Sequence, residues 1–195
     1  MQSVTKQFIT ASELLEDSFK LASKILSSGF KPTFIVGIWR GGAPIGIAVQ
    51  ELFECCGIST NHIAIRTSSY SASGHQQRQV EVHGLEYLVR HIQSHDQLLI
   101  VDDVHDSGLS IAEVIKQLQL GCADNAPATI KIATPYFKPS HIKSATRPDF
   151  YLYETDQWLV FPHEIQGLSR QELLQYKPEL ASIVESLSAY LPDND

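Results

Sequence analysis

The chain of 195 residues has the length of one ordinary domain, and 43% of its residues are apolar, which is enough for a hydrophobic core. Its formal net charge is −7, and its 15 Lys and Arg residues form no cluster, which argues against an extended nucleic-acid surface. No apolar run reaches the roughly eighteen residues of a membrane span, and the first residues lack the pattern of a signal peptide, so we expect a cytoplasmic protein. The three cysteines fit neither a disulfide framework nor a CxxC metal motif.

The first half of the chain alternates predicted helices and strands. A helix is expected from about residue 11 to 27, where apolar residues recur at helical spacing and Thr10 with Glu13 resembles a capping box. The apolar strand FIVG at 34–37 runs through WRGG into APIGIAVQELFE, which indicates a strand, a glycine turn and a helix. The strand HIAIRT at 62–67 precedes SSYSASGHQQRQ, a polar stretch without apolar periodicity that we predict to be a mobile loop.

The second half of the chain continues this alternation. VEVHGLEYLVRHI predicts a short strand and a helix, LLIV at 98–101 predicts a strand, and LSIAEVIKQLQL predicts a further helix. TIKIAT, DFYLYET and WLVFP are expected to form three more strands, and RQELLQ and PELASIVESLSAYL two closing helices. Such alternation is typical of an α/β domain with a mainly parallel sheet flanked by helices. We expect the whole chain, residues 1–195, to form one such domain.

Three acidic residues follow the predicted strand LLIV within LLIVDDVHDSGLS at 98–110. In a parallel sheet ligands bind beyond the carboxyl ends of the strands, so Asp102 and Asp103 are expected at the binding edge. Ionised carboxylates this close together repel each other unless a cation or a hydroxyl-bearing ligand occupies them. The segment DSGLS at 106–110 opens the next helix, where backbone amides, two serine hydroxyls and the helix dipole can converge on an anion. The alternative is an Asx turn that caps the helix beside exposed acids.

This stretch resembles the phosphoribosyl pyrophosphate signature of the type I phosphoribosyltransferases, in which two acids and then an Asp-Ser/Thr-Gly segment follow an apolar run. The resemblance implies that Asp102 and Asp103 hold the ribose hydroxyls and that Asp106 is the general base for the purine N7 proton. It also implies that the segment 106–110 wraps the 5-phosphate, and it places His105 where such signatures more often have an apolar residue. The residues expected to bind the phosphate are Ser107, Gly108, Leu109 and Ser110.

The stretch GIWRGG at 37–42 looks like the pyrophosphate loop of the same family. In that loop glycines let the backbone approach the diphosphate, and a peptide that is often cis precedes the basic residue. By position that peptide joins Trp39 and Arg40, and Arg40, Gly41 and Gly42 are expected to bind the substrate. An isolated RGG is more typical of a simple turn.

Two further segments resemble the 6-oxopurine branch of the family. Ser69 and Tyr70 look like the Ser-Tyr pair of its mobile lid, which we expect over about residues 67–80. A small base-binding hood is expected over about residues 135–165, completed by the C-terminal helices. In this hood Lys138 would donate a hydrogen bond to the exocyclic O6 of the purine.

The hood also contains TDQWLVFPHE at 155–164. By resemblance Trp158 would stack on the purine, and the backbone of Leu159 would bind the edge of its six-membered ring. Glu164 takes the place of an acid, usually Asp, that helps to hold a second magnesium ion in these enzymes. The resemblance makes Mg²⁺ the cofactor, with protein carboxylates from Asp102, Asp103 and Glu164.

The activity that the resemblance implies is transfer of the 5-phosphoribosyl group from phosphoribosyl pyrophosphate to hypoxanthine, guanine or xanthine, with release of pyrophosphate, in purine salvage. The expected partners are these small molecules and further copies of the chain in a dimer or tetramer, without nucleic acid or membrane. Two alternatives stay open: a non-catalytic regulator that binds phosphoribosyl pyrophosphate or a nucleotide, and a pyrimidine transferase of the orotate type. A regulator should lack the lid or the hood, and the pairing of Lys138 with Trp158 argues against a pyrimidine.

Overall fold

The computed structural model describes residues 6–70 and 79–187, and of Ser69, Tyr70 and Gln79 it describes the backbone only. The chain divides into two compact units, Met1–Leu14 with Gln157–Asp195 and Leu15–Asp156. The segment predicted as the base-binding hood is therefore shared between the two units.

The described residues form nine strands and six α-helices. The strands are β1 (Lys6–Phe8), β2 (Phe34–Trp39), β3 (Asn61–Tyr70), β4 (Gln79–His83), β5 (Gln97–Val101), β6 (Val104–His105), β7 (Thr129–Phe137), β8 (Phe150–Glu154) and β9 (Trp158–Val160). The helices are α1 (Ala11–Ser27), α2 (Gly42–Cys55), α3 (Glu86–His91), α4 (Leu109–Cys122), α5 (Arg170–Tyr176) and α6 (Ala181–Ser186). In this part of the chain no helix combines the length and the apolar character needed to cross a membrane.

The larger unit contains a seven-stranded sheet in the order β4-β3-β2-β5-β7-β6, with β8 also paired to β7. Every pairing is parallel except that of β3 with β4, so the predicted α/β fold with a mainly parallel sheet is confirmed. Apolar side chains of β2 and β5 are buried almost without interruption, as expected for central parallel strands. The core packs this sheet against α3 and α4 through Ile65, Leu88, Ile100, Ile111 and Leu118 among others.

The main helices begin where the sequence predicts. The capping box before α1 is confirmed, because the Glu13 N–H donates to Thr10 Oγ1 at 3.2 Å and the Thr10 N–H donates to Glu13 Oε2 at 2.8 Å. Helix α2 begins at Gly42, directly after β2 and the RGG turn, and α4 begins directly after Gly108. Both helices therefore start at the carboxyl edge of the sheet, where ligands bind in folds of this kind.

One prediction in the larger unit is wrong in part. Residues 68–70 and Gln79, expected in the polar loop, belong to β3 and β4, because the two strands pair in an antiparallel hairpin in which Tyr70 lies opposite Gln79. Backbone hydrogen bonds make such a pairing, and they require no apolar periodicity in the side chains. The rest of the predicted loop up to residue 78 lies outside the described residues.

The smaller unit contains β1 and β9, which pair in parallel with Gln7 opposite Leu159. Its core consists of Val160, Leu168, Leu173 and Val184, packed with Phe8 and Leu180. The predicted helix over 178–191 is wrong at its start, where Pro178–Leu180 form a 3₁₀ turn before α6, and its part after residue 187 lies outside the described residues.

Candidate active site

Asp102 and Asp103 lie at the carboxyl end of β5, as predicted. The Asp102 N–H donates to the carbonyl oxygen of Ala133 on β7 at 3.2 Å, which continues the pairing of the two strands by one residue. The Asp103 N–H then donates to Asp102 Oδ1 at 3.0 Å, and the Val104 N–H donates to Asp103 Oδ1 at 2.7 Å. Each carboxylate accepts a hydrogen bond from the next backbone amide, so both side chains are held at the edge of the sheet.

The electrostatics of this acid pair favour a cation. Burial, and after it the charge of Asp103, raises the pKa of Asp102 well above its ordinary value. Among the described residues no group of three or more His, Cys, Asp and Glu side chains converges as a metal site. Two carboxylates are nevertheless a suitable protein contribution for Mg²⁺, which keeps several waters and substrate oxygens as ligands. The donor set therefore fits the predicted ion.

The glycine loop after β2 lies directly against these acids. A Cβ atom added at Gly41 would lie 1.7 Å from Asp103 Oδ2, and one added at Gly42 would lie 2.3 Å from the carbonyl oxygen of Val101. The Trp39–Arg40 peptide is cis, as the resemblance leads us to expect. Only glycine permits this close approach, so the predicted pyrophosphate loop and the acid pair form one continuous surface.

The segment after the acid pair encloses a small cavity of about 80 Å³. Its walls are the residues Val104 to Gly108 with Asp102, Ser110 and Ile111. The amino-terminal end of α4 adjoins this cavity, because Ser110 and Ile111 belong to the first turn of that helix. Backbone amides at a helix N-terminus can bind anions, and phosphate binding in this cavity stays a prediction.

Gly108 makes the turn that leads into α4. Its φ of 74° lies in the left-handed region, which glycine adopts without strain. The Leu109 N–H donates to Ser107 Oγ at 3.4 Å, and Thr146 Oγ1 donates to the Gly108 carbonyl oxygen at 3.1 Å. Of the four residues predicted to bind the phosphate, Ser107, Gly108 and Ser110 line the cavity, and Leu109 lies in the same turn without lining it.

His105, the departure from the usual signature, is a buried residue. Its Nε2 lies 3.2 Å from the Thr146 carbonyl oxygen, and its ring meets the ring of Phe137 edge-on with centroids 5.9 Å apart. Burial is the main cause that lowers its pKa. The buried His105 ring thus occupies the position at which the resembled signature more often has an apolar residue.

Asp106, the third acid, is paired with two basic side chains. Its Oδ2 lies 3.5 Å from Lys138 Nζ, and its Oδ1 lies 3.0 Å from His141 Nδ1. The side chain of Lys138 is 9% exposed, whereas that of Asp106 is 47% exposed and open to a ligand. The structure therefore brings the predicted general base next to the predicted O6 donor.

His141, which lies against Asp106, is not among the residues predicted from the sequence. It ends the 3₁₀ turn Pro139–His141 that directly follows Lys138, and its own N–H donates to the Lys138 carbonyl oxygen at 3.1 Å. A spacing of three residues in a 3₁₀ turn returns both side chains to the same side. The spacing in KPSH is the only signal in the sequence that could have indicated it.

The remaining predicted base contacts belong to the smaller unit. The side chain of Trp158 is 59% exposed at the start of β9, and Leu159 is buried with its backbone paired to β1. Glu164 Oε2 accepts the N–H of Phe161 at 3.1 Å, so this carboxylate caps its own turn. The stacking and second-metal roles of Trp158 and Glu164 stay predictions, as does the backbone contact of Leu159.

Three further predicted substrate contacts are Arg40, Ser69 and Tyr70. Arg40 is exposed between β2 and α2, next to the glycine loop. Ser69 and Tyr70 form the last residues of β3, and the predicted lid continues from them into residues outside the described part of the chain. Their contact with substrate stays a prediction.

Acids at a strand end, a glycine turn against them and a helix N-terminus at one sheet edge are the arrangement expected of a protein that binds a phosphorylated ligand. The family model described as the phosphoribosyl transferase domain matches residues 6–172. The chain belongs to this family, and the resemblance to type I phosphoribosyltransferases found in the sequence is confirmed.

Solved structures share the fold over most of their length. A purine phosphoribosyltransferase from Pyrococcus horikoshii Ot3 is 25% identical, with a TM-score of 0.62 over 84% of this chain and 96% of that one. A xanthine-guanine-hypoxanthine phosphoribosyltransferase from Helicobacter pylori is 22% identical, with a TM-score of 0.62 over 80% and 92% of the two chains. A hypothetical protein from Neisseria gonorrhoeae with bound ppGpp is 19% identical, with a TM-score of 0.71 over 92% and 99%. No curated protein sequence matches the chain significantly.

Proposed function

We propose that the protein transfers the 5-phosphoribosyl group of phosphoribosyl pyrophosphate to a 6-oxopurine, namely hypoxanthine, guanine or xanthine. The observation that carries the proposal is the pairing of Lys138 Nζ with Asp106 Oδ2 at 3.5 Å. A 6-oxopurine presents an acceptor, O6, and a donor, N7–H, side by side on one edge. A lysine donor beside a carboxylate acceptor complements that edge.

The sugar phosphate would bind along the carboxyl edge of the sheet. Asp102 and Asp103 would accept hydrogen bonds from the ribose hydroxyls, and the cavity at the start of α4 would hold the 5-phosphate. The loop of Arg40, Gly41 and Gly42 would hold the diphosphate. Asp102 and Asp103 would also help to hold Mg²⁺, which would supply positive charge for the leaving diphosphate.

The transfer itself needs a group that accepts one proton. The purine N9 forms a bond to C1 of the ribose, the bond from C1 to the diphosphate oxygen breaks, and the pyrophosphate leaves with the bonding electron pair. The N7 proton passes to Asp106 Oδ2, a role worth about 10²- to 10⁴-fold in rate. For this, Lys138 moves from Oδ2 to the purine O6, and the exchange leaves Oδ2 without its charge partner.

The other predicted contacts complete the proposal. Ser69 and Tyr70 would cover the reacting ribose and keep water out, and Trp158 and the Leu159 backbone would hold the purine. Glu164 would serve a second Mg²⁺ ion. A dimer or tetramer acting in cytoplasmic purine salvage is part of the same proposal.

A panel of bases tests this function. The purified protein is incubated with phosphoribosyl pyrophosphate, Mg²⁺ and hypoxanthine, guanine, xanthine, adenine or orotate, and nucleotide and pyrophosphate are quantified. We expect equal amounts of both products with at least one 6-oxopurine and far less with adenine or orotate. Conversion of orotate in preference to every purine would replace the proposal by the pyrimidine alternative.

A second candidate is a regulator that binds nucleotides without catalysis. The Neisseria gonorrhoeae structure with bound ppGpp supports it, because that protein shares the fold over nearly its whole length. The same panel separates the two candidates. Binding of ppGpp or phosphoribosyl pyrophosphate, measured by calorimetry, together with no nucleotide formed from any base would favour the regulator.

A further inference from the structure

The two oxygens of the Asp106 carboxylate have different basic partners. Lys138 Nζ lies 3.5 Å from Oδ2, and His141 Nδ1 lies 3.0 Å from Oδ1. We infer that His141 is a positioning residue for the general base, which holds Oδ1 and thereby turns Oδ2 towards the purine N7. This inference rests on the proposed function, because it assumes that Asp106 accepts the purine proton.

The need for such a residue follows from the exchange of partners during the reaction. When Lys138 moves to the purine O6, Asp106 loses the ion pair that orients its carboxylate in the free protein. A carboxylate that is 47% exposed can then rotate about its last bond and present either oxygen to water. The shorter contact to His141 does not depend on Lys138 Nζ and can persist throughout the exchange.

The backbone around His141 is fixed on both sides. Its own N–H donates to the Lys138 carbonyl oxygen at 3.1 Å, and the Lys143 N–H donates to the Ser107 carbonyl oxygen at 2.9 Å. The second of these bonds ties the segment to the phosphate cavity itself. Ser140 Oγ, one residue before His141, donates to Asp156 Oδ1. These bonds therefore fix the position of His141 relative to the phosphate loop that carries Asp106.

The length of the side chain gives the inference a specific test. Asparagine places its amide nitrogen on Cγ, as histidine places Nδ1, so His141→Asn keeps a donor near Asp106 Oδ1. His141→Gln carries its amide one carbon further out, and His141→Ala removes the donor. His95→Ala is the matched control, because His95 is exposed in the turn before β5, at the opposite end of that strand from Asp102.

We expect His141→Ala and His141→Gln to lower kcat with hypoxanthine by roughly 10-fold, because a base that is misplaced by a small distance loses much of its effect. The KM for phosphoribosyl pyrophosphate and the thermal midpoint should stay close to those of the wild type. His141→Asn should recover kcat to within about 3-fold, and His95→Ala should match the wild type. If His141→Ala does not fold, the contrast between the Gln and Asn variants makes the same test.

Two results would overturn the inference. Wild-type kcat in the Ala and Gln variants would show that Asp106 needs no second partner. Equal loss in the Asn, Gln and Ala variants would show that the imidazole has a role other than donating to Oδ1. Asp106→Asn, assayed in parallel, separates these outcomes from failure of the proposed function: an active Asp106→Asn protein contradicts the general base itself, whatever the His141 variants do.

Discussion

The acid pair Asp102–Asp103 and the third acid Asp106 lie close together in the chain but in opposite electrostatic surroundings. Asp102 is partly buried next to another carboxylate, and its pKa is raised by burial and then by the charge of Asp103. Asp106 is more exposed and is paired with the basic groups of Lys138 and His141. The raised pKa of Asp102 thus indicates a carboxyl group whose charge is disfavoured, whereas Asp106 lies beside two basic side chains.

Under the proposed function, this difference would follow from what each group binds. Phosphoribosyl pyrophosphate with Mg²⁺ would bring positive charge and ribose hydroxyls to the acid pair. A purine would bring no cation, so the protein would have to provide the charges around Asp106. A charged group left unpaired in a partly buried site is costly, so the acid pair would be compensated by the ligand and Asp106 by the protein.

The largest expected effect comes from removing the acid pair. Asp102→Ala combined with Asp103→Ala should weaken the binding of phosphoribosyl pyrophosphate in Mg²⁺ by roughly 10²-fold or more, since each hydrogen bond to a charged group contributes about 1.5 to 3 kcal/mol. Chelation of Mg²⁺ should abolish turnover of the wild type. Titration calorimetry measures the affinity. The control is Asp124→Ala, because Asp124 lies in the turn after α4. Unchanged affinity in the double variant would refute the assignment of the ribose contacts.

Substitution of Lys138 tests whether the basic group beside Asp106 selects the base. We expect kcat/KM for hypoxanthine or guanine to exceed that for adenine by at least roughly 10²-fold, because an ammonium donor pairs with O6 but not with an amino group. Lys138→Ala should remove most of this gap by slowing the oxopurines, without improving adenine greatly. Competition assays with both bases measure the ratio. A gap of the same size in the variant would mean that another residue reads the base.

Substitutions in the glycine loop test whether its close approach to β5 is needed for stability and for binding of phosphoribosyl pyrophosphate. In Gly42→Ala the new methyl group would lie 2.3 Å from the Val101 carbonyl oxygen, and backbone cannot move aside as a side chain can. We expect a loss of about 1 to 3 kcal/mol in the free energy of unfolding and roughly 10-fold weaker binding of phosphoribosyl pyrophosphate.

Gly46→Ala in the same helix is the control for this test, because its methyl group would meet the nearest atom, Gly37 Cα, at an ordinary 3.6 Å. It should bind phosphoribosyl pyrophosphate as the wild type does, and its stability in urea should be equal or higher, since alanine favours helix. If the two variants behave alike in both measurements, the close approach of the loop to β5 is refuted.

The smallest expected effect concerns stability and pH. Because the pKa of Asp102 is raised in the folded protein, its ionised form is destabilised there relative to the unfolded chain. The cost is absent below the ordinary aspartate pKa, about 3.9, and increases as the pH rises above it towards the raised value. Asp102→Asn should therefore stabilise the metal-free protein by about 0.5 to 2 kcal/mol at neutral pH.

Urea unfolding in EDTA at several pH values measures this difference. The advantage of Asp102→Asn over the wild type should shrink as the pH falls towards about 4, where the carboxyl group becomes neutral in the unfolded chain as well. A wild type that is more stable than the variant at neutral pH would show that the acid pair is already compensated within the protein.

Much of the fold could be predicted because local patterns determine it. The apolar runs of β2 and β5, the periodic face of α1 and the capping box of Thr10 with Glu13 are all contained in short windows of sequence. β1 and β6 could not be found in this way, since strands of three and two residues exist only through their partners β9 and β7. The same reason applies to residues 68–70. Their pairing with β4 depends on the partner strand, and their polar sequence shows no strand pattern.

The candidate site likewise combines contacts that the sequence indicates with contacts that it does not. Asp102, Asp103 and the turn at Gly108 belong to one contiguous motif, so their proximity is a property of the sequence. The contact of Gly41 with Asp103 joins two segments more than sixty residues apart, and only the family resemblance indicated it. His141 belongs to no motif, and its contact with Asp106 depends on how the segment after β7 folds back on the phosphate loop.

Asp106→Asn tests the central claim, that the third acid acts in the chemistry while the acid pair acts in binding. Rapid-quench measurement of a single turnover with hypoxanthine, together with calorimetric affinity for phosphoribosyl pyrophosphate, separates the two roles. The variant should react roughly 10²-fold more slowly or worse, with affinity close to the wild type, because the amide cannot accept the N7 proton. A single-turnover rate equal to that of the wild type would contradict the claim.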